Sequence, residues 1–200
     1  MTQPIYRLIV VCCLVILTGC ASGASRWRHF HGDLSGQGYQ PVESGYALSA
    51  AWVAGPYNIT SSSPVIGVAL SGAEIIYIGT VDGELVSLFS EDGRERWRRS
   101  FARQDEVLKI VSSPAISARG DIYVITSRRV AGGRIQSSLH KVDEFSTVRW
   151  SYTFADDGFT SGSPKIMKWR QQTLVFIYVN VIIDGTPQAE LFVLHDTGNS

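Results

Sequence analysis

The amino-acid sequence predicts an all-β fold, a β-propeller of four-stranded blades, on three observations. Pro64, Pro114 and Pro164 each follow a serine and are separated by 50 residues, and a fixed interval of this length indicates a repeat architecture. Short apolar runs rich in Ile, Val, Tyr, Phe and Thr recur after each proline, and these residue types favour strands. No stretch of the mature chain has the 3.6-residue periodicity of a helix.

The chain begins with a predicted lipoprotein signal peptide over residues 1–19. Arg7 supplies a positive charge, and the apolar run over 8–17 that follows is too short to span a bilayer as a helix. The LTGC motif resembles the lipobox of bacterial lipoproteins, which implies cleavage before Cys20 and lipidation of that residue. An ordinary signal peptide cleaved nearby is the alternative. Three acyl chains on Cys20 would anchor the protein firmly in a membrane, since one chain alone binds only marginally.

Cleavage at this point also decides the cysteine chemistry and the charge of the mature chain. Cys12 and Cys13 would be removed, so that no disulfide is expected although the envelope is oxidising. The balance changes from 18 basic and 18 acidic residues to 17 and 18. A near-neutral body predicts neither nucleic-acid binding nor strong electrostatic attraction to a membrane. By the sorting logic of enterobacterial lipoproteins, Ala21 implies an outer-membrane anchor facing the periplasm.

Residues 20–45 are predicted to form a tether and lead-in segment rich in Gly and Ser. Three aromatic residues within it, Trp27, Phe30 and Tyr39, are expected to anchor the segment on the propeller. The segment therefore connects the lipid to the body of the protein.

The lead-in segment also contains the sequence HFHGD, which resembles the start of the HxHxDH metal motif of the metallo-β-lactamase fold. His29, His31 and Asp33 alternate, so that they could share one face and bind zinc. The last histidine of that motif is replaced by Leu34, and the helices of that fold are not predicted here. We therefore predict no metal site.

Residues 46–200 are predicted to form a partial propeller. A lone outer strand over 47–54 carries Trp52 and precedes the repeats. In a complete ring such a strand commonly completes the last blade. The blades are expected at about 62–100, 112–153 and 162–200, and the last of them lacks the tryptophan that is due near position 202. A propeller ring needs at least four blades, so we expect a fragment of a longer protein.

Within the first blade, turn residues separate the predicted strands. Asp82-Gly83 predicts a tight hairpin between the second and third strands, because this dipeptide tolerates positive φ angles. Asp92-Gly93 marks the turn before the strand that carries Trp97. In the second blade the stretch SRRVAGGRIQ replaces the tight hairpin, and no glycine occupies the usual turn before Trp150. The proline of each blade is expected at the start of the innermost strand, where a missing N–H is tolerated.

The pattern SSPVI followed by IYIGTVDGELVSLFSEDGRERW resembles the pyrroloquinoline-quinone (PQQ) type, or quinoprotein-like, propeller repeat. Kelch and WD propellers fit less well, since Gly132-Gly133 occurs in one unit only and no Trp-Asp dipeptide is present. In the quinoprotein-like family a tryptophan ends the outer strand and packs between adjacent blades. The resemblance assigns this structural place to Trp52, Trp97 and Trp150.

This resemblance implies two functions. The chain is similar to the propeller lipoproteins of the outer-membrane barrel-assembly machinery, which implies a non-catalytic scaffold that binds proteins in the bacterial cell envelope and needs no cofactor. The alternative is a PQQ-dependent dehydrogenase whose active residues lie beyond residue 200. Dehydrogenases of the wider family hold calcium and quinone with carboxylate, asparagine and arginine side chains under a vicinal disulfide, and those residues have no counterparts that we can assign. The sequence also lacks a P-loop, a GxSxG motif, a CxxCH haem motif and a Ser/His/Asp constellation.

A binding surface is expected where the longest and most charged connections gather, because long surface loops carry function more often than strands do. These connections are 102–109, 128–134, 155–162 and 182–188. Within them the candidate binding residues are Asp105, Arg128, Arg129 and Asp157. The arginine-rich segment RERWRRS, 94–100, has two interpretations: a docking patch for an anionic partner, or a solvated outer strand, which we favour.

Overall fold

The computed structural model describes residues 28–30, 49–103, 106–155 and 158–197. These ranges contain twelve strands and one short 3-10 turn, Ala131–Gly133, and no α-helix. In the same ranges, no helix has the length and apolar character needed to cross a membrane. The all-β prediction is confirmed.

The first two sheets are four-stranded blades, in which neighbouring strands are antiparallel and follow one another along the chain. The first blade has the order β1-β2-β3-β4, formed by Val65–Val68, Glu74–Gly79, Glu84–Phe89 and Glu95–Ser100. In the second blade the innermost position is shared by two short strands that both pair with the next one. Its strands are β5 Leu108–Lys109, β6 Ala115–Ile116, β7 Ile122–Arg129, β8 Ile135–Val142 and β9 Val148–Thr153.

The third sheet has three strands among the described residues, in the order β10-β11-β12. They are Lys165–Trp169, Gln172–Ile183 and Thr186–Asp196. Consecutive antiparallel four-stranded sheets are the building unit of a propeller, and the chain therefore forms part of a β-propeller. Pro64, Pro114 and Pro164 stand immediately before β1, β6 and β10, as the repeat predicts.

The hydrophobic core lies between blades rather than inside a sandwich. One buried cluster joins the first two blades and includes Tyr77, Leu85 and Ile122. A second cluster joins the second blade to the third sheet and includes Tyr123, Leu139 and Ile177. The second blade is thus covered on both faces, which explains why the first six residues of β7 are all buried. Burying both faces removes the need for alternating apolar and polar side chains.

A chain of serine hydrogen bonds joins the three sheets at the repeated prolines. Ser63 donates its backbone N–H to Ser113 Oγ at 2.8 Å, and Ser113 donates its own N–H to Ser163 Oγ at 3.0 Å. Both bonds span 50 residues, which is the interval of the repeat. Each serine stands before the proline that begins an innermost strand, so the bonds fix the spacing of neighbouring blades near the axis of the propeller.

Tryptophan side chains join the blades at their outer strands. The Trp97 indole donates its Nε1–H to the backbone oxygen of Glu144 at 2.8 Å, in the β8–β9 turn of the next blade. Trp52 does the same to Ser90 at 3.0 Å, in the β3–β4 turn. In the second blade Trp150 packs against Tyr123, as Trp97 packs against Tyr77. These contacts agree with the place that the repeat assigns to the three tryptophans.

The turns that receive these tryptophans share one backbone requirement. Gly93 has φ 71° in the first blade, and Ser146 has φ 74° at the corresponding position of the second. The second turn therefore keeps the positive φ without glycine, held by bonds from the backbone N–H groups of Phe145 and Thr147 to Asp143 Oδ1 at 2.9 and 2.8 Å. This explains how the repeat is maintained where its glycine is missing.

Two predicted boundaries need correction. Residues 49–54, which cover most of the predicted lone outer strand, pair with no strand among the described residues, although Trp52 occupies the predicted place. A strand requires a partner strand for its backbone groups, and this segment contacts the first blade through the Trp52 side chain without backbone pairing to a described strand. The stretch 182–188 was expected as a long loop, but β11 and β12 continue through it to a turn at Asp184 and Gly185. That Asp-Gly dipeptide provides the positive φ angles of a tight hairpin, 51° and 77°.

We predict that Ser113→Ala lowers the free energy of unfolding by about 1–3 kcal/mol, because the partly buried N–H of Ser63 loses its acceptor. Urea denaturation monitored by tryptophan fluorescence measures this change. Ser100→Ala is the matched control, since Ser100 is exposed at the end of β4, and it is expected to change stability by less than about 0.5 kcal/mol. Equal effects of the two substitutions would show that the serine bond contributes nothing specific.

We predict that Gly93→Ala destabilises the protein by about 2 kcal/mol more than Gly72→Ala does. Both glycines have positive φ, so both substitutions strain the backbone. A Cβ on Gly93 would collide with the Trp52 ring, whereas a Cβ on Gly72 meets nothing within 4 Å. Thermal unfolding of the two variants separates the steric effect from the backbone effect. Identical losses of stability would mean that Trp52 does not pack on this turn in solution.

Candidate functional site

The β2–β3 and β7–β8 turns and the described parts of the links between blades lie at the same end of the strands. We call this the connection face; its described parts are 80–83, 101–103, 106–107, 130–134, 154–155 and 158. Phe101 donates its N–H to the Gly83 oxygen at 3.0 Å, and Ser137 donates to the Gly158 oxygen at 2.8 Å. Each link between blades is thus tied to the β2–β3 or β7–β8 hairpin of the preceding blade.

Arg128 holds three of these segments together. Its guanidinium bonds to Glu106 Oε1 at 3.0 Å and to Gln136 Oε1 at 3.0 and 3.3 Å. Gln136 in turn donates to the backbone oxygen of Phe154 at 3.2 Å. The bond from Arg128 also lowers the pKa of the Glu106 carboxyl. Since Arg128 is occupied by contacts within the chain, it positions the surface.

Of the other candidate binding residues, only Arg129 is among the described residues. Arg129 is exposed at the end of β7. No described carboxylate lies within 4.0 Å of its guanidinium to form an ion pair. Asp105 and Asp157 lie outside the described residues, and so does Cys20. The sequence also missed Glu106, which anchors the link between the first two blades. Its opposite charge to Arg128 was the available signal, but pairing residues 22 apart requires the fold.

His140 lies behind the start of the first link. Its ring contacts the Phe101 ring at 4.6 Å between centroids, and its two nitrogens lie 2.8 Å from Thr126 Oγ1 and 2.7 Å from Ser151 Oγ. Burial, aided by the positive charge of Arg99, lowers the pKa of His140 to about 4. The imidazole is therefore neutral at physiological pH, and it supports the link through packing and two hydroxyl contacts.

The β11–β12 ribbon extends from this face and is its most prominent feature. Its strands have 12 and 11 residues, whereas β2 and β3 of the first blade have six each. Asn180 pairs with Phe159 through two backbone bonds of 2.9 and 2.7 Å, which joins the ribbon to the second link. Tyr178 pairs with Leu191 and Ile182 with Pro187, so these side chains share one side of the ribbon, with Asn180 between them.

Several apolar side chains of this region are exposed. Val107 is 71 % exposed, Ile182 53 % and Leu191 67 %, while Ile135 and Ile183 are just above a third exposed. Adjacent exposed apolar groups indicate a contact surface for another molecule more often than scattered single ones do. The connection face therefore combines internally paired charges with unburied apolar groups.

The arginines of the segment 94–100 do not form an open docking patch. Arg98 pairs with Glu84 and Glu95 at 2.8 and 2.9 Å, which raises its pKa, and Arg96 reaches Glu144 at 3.5 Å. Arg94 pairs with Asp92 at 3.5 Å. The segment is the outer strand β4, and the interpretation as a solvated strand is the one that the structure supports.

The lead-in segment reaches the innermost strands at residues 28–30. Ile116 donates its N–H to the Arg28 oxygen at 3.0 Å, and Lys165 Nζ bonds to the Phe30 oxygen at 3.1 Å. His29 is buried at this point. The contact at Phe30 is made by its backbone oxygen, while its side chain is 38 % exposed. Trp27, Tyr39, His31 and Asp33 lie outside the described residues.

The described residues at the start of the innermost strands are not the carboxylate, asparagine and arginine set named above for quinoprotein dehydrogenases. Serines and prolines stand before β1, β6 and β10, and these strands begin with Val65, Ala115 and Lys165. In the part of the chain that the structure describes, no three His, Cys, Asp or Glu side chains are grouped so that they could hold a metal ion.

The repeated sheets, the serine bonds and the tryptophan contacts define the chain as part of a β-propeller with four-stranded blades. Among solved structures it is similar to BamB from Moraxella catarrhalis, with 18 % identity and a TM-score of 0.42, over 76 % of this chain and 49 % of that one. It is also similar to the quinohemoprotein alcohol dehydrogenase from Comamonas testosteroni, with 13 % identity and a TM-score of 0.49, over 81 % of this chain and 36 % of that one. This chain thus spans about half or less of each. No family model and no curated protein matches it.

We predict that the pH dependence of stability contains a contribution from His140. Its folded pKa, about 4, lies below the unfolded value of 6.5, so the unfolded chain binds more protons between these values. The contribution, about 3 kcal/mol, is fully present above pH 6.5 and is lost as the pH falls towards 4. Urea titrations of the wild type and of His140→Gln between pH 4 and 7.5 measure this contribution. It is the difference between the two proteins in how steeply the free energy of unfolding changes with pH. Parallel curves would contradict a neutral, half-buried imidazole.

Proposed function

We propose that this chain is the propeller part of a lipid-anchored, non-catalytic lipoprotein that binds other proteins in the bacterial cell envelope. The observation that carries the proposal is the connection face, where Val107, Ile182 and neighbouring apolar side chains are exposed around charges that are paired within the chain. An apolar surface with a polar rim suits a protein partner.

The anchor and the compartment follow from the amino terminus. A lipid on Cys20 would hold the propeller at a membrane, and Ala21 favours the outer membrane with the propeller in the periplasm. The segment between Cys20 and Arg28 is short, so the propeller would stay close to the bilayer. Protein partners that are themselves embedded in or assembled at that membrane would be within reach.

The surface proposal predicts which positions contact a partner. A photo-crosslinking amino acid at Val107 or Ile182 is expected to give adducts with envelope proteins in living cells, because both side chains are exposed on the connection face. Leu70 is the matched control, since it is apolar and 84 % exposed but lies on the opposite face, in the β1–β2 turn. Immunoblots of the irradiated membrane fraction measure the adducts. Equal crosslinking from all three positions would contradict a specific surface.

Three further variants separate the proposal from its alternatives. Arg129→Ala is expected to lower the yield of the crosslinked adduct without a change in the stability of the protein. Arg128→Ala should lower the yield as well, but it should also release Glu106 and destabilise the first link. Cys20→Ser is expected to move the protein into the soluble fraction.

Quinone-dependent oxidation of an alcohol by the chain after reconstitution with PQQ and calcium would overturn the non-catalytic function in favour of the dehydrogenase.

A further inference from the structure

A cavity of about 220 Å³ lies between the second blade and the third sheet, on the face opposite to the connection face. One wall is the β6–β7 turn, which contributes Ser117 and Arg119. The other is the end of β10 and the start of β11, which contribute Lys168 and Gln172. Residues 28–29 of the lead-in segment contribute to the lining beside Ile116. The cavity is distinct from the connection face and independent of the function proposed above.

The charge of this cavity is one-sided. Arg119 and Lys168 line it from opposite walls, and no carboxylate belongs to its described lining. Neither Arg119 nor Lys168 has an ion-pair partner among the described residues. The chain as a whole has 18 basic and 18 acidic residues, so two cations with no carboxylate in the described lining of one cavity are a local excess of positive charge.

A neighbouring cavity shows that such concentration is not a general property of the clefts between blades. Between the first and second blades, a cavity of about 170 Å³ also contains Arg119, together with Arg149. There the lining includes Asp121, Asp143 and Glu144, and Arg149 pairs with Asp143 at 2.7 Å. Arg119 thus borders both clefts, but carboxylates belong to the described lining of the first cleft only.

Local structure holds the two opposing cations in place. Ser117 Oγ accepts the backbone N–H groups of Arg119 and Asp121, both at 3.2 Å, which fixes the β6–β7 turn. On β10, Ile166 is buried in the second core cluster, and alternation along the strand places Lys168 on the same side. The cations therefore stand on rigid elements whose separation is set by the core between them.

We propose that this cavity binds a phosphate group. Donors come from both walls: the guanidinium of Arg119, the ammonium of Lys168, and the neutral side chains of Gln172 and Thr173. A tetrahedral anion can accept hydrogen bonds from several directions at once, whereas a carboxylate accepts them in one plane, and charge-assisted bonds to Arg and Lys are the strong ones. The source is either inorganic phosphate or a phosphate monoester, since both present the same oxygens.

Isothermal titration of the full chain with inorganic phosphate and with glycerol 3-phosphate tests this site. Saturable binding to one site is expected, and Arg119→Gln and Lys168→Gln should each weaken it about tenfold through loss of a charge-assisted bond. Arg134→Gln and Lys109→Gln remove exposed cations at other places and are expected to leave the affinity unchanged. Binding of both compounds would support a site for the phosphate group itself, and binding of the ester alone would identify the source as an ester.

Three results would overturn the proposal. The first is the absence of saturable binding by either compound. The second is equal weakening by the control variants, which would show screening of the general charge. The third is citrate binding as tightly as phosphate with the same dependence on Arg119 and Lys168, which would assign the cavity to carboxylates. Thermal unfolding of every variant in buffer without phosphate shows whether a loss of affinity reflects a loss of fold.

Discussion

The hydrogen bonds between the serines at positions 63, 113 and 163 are the constraint on which the rest of the structure depends. In each bond the backbone N–H of one serine donates to the side-chain oxygen of the next, and every one of these serines directly precedes a proline. The proline itself has no N–H to donate at the start of the strand. Because every bond links neighbouring units at one repeat interval, an insertion or deletion within a blade must be absorbed in its loops. The inner strands, the cores between them and the outer tryptophans are all placed relative to this line.

Contacts near the outer strands also join neighbouring blades. Glu144 illustrates the arrangement: its backbone oxygen receives both Trp97 and Arg96, and its side chain accepts the N–H of Leu70 at 3.1 Å. Three groups of the first blade thus meet one residue of the second. At the next interface Lys141 pairs with Asp196 at 2.8 Å and with Asp121 at 3.3 Å, and Tyr123 bonds to Asp196. Burial, helped by that carboxylate, raises the pKa of Tyr123, so the phenol remains protonated as a donor.

This rigid frame presents two chemically different faces. On the connection face, charges such as Arg128 and Glu106 satisfy one another and leave apolar side chains as the exposed groups, which suits protein contact. On the opposite face, the cleft between the second blade and the third sheet is lined by Arg119 and Lys168 and by no described carboxylate, which suits a small anion. The separation follows from the meander of each blade, because successive turns alternate between the two faces. A ligand on one face need not displace a partner on the other.

The sequence by itself determined the repeat and the strand composition, since these follow from local residue chemistry repeated at a fixed interval. The Asp184-Gly185 hairpin was also within reach of sequence reasoning, because its turn signal is local. Only the tertiary structure decided that Arg128 forms an ion pair with Glu106, that Ser146 replaces a glycine in its turn, and that Arg119 and Lys168 line the same cleft from opposite walls. These features depend on which side chains meet across blades, and that is set by packing between residues far apart in the chain.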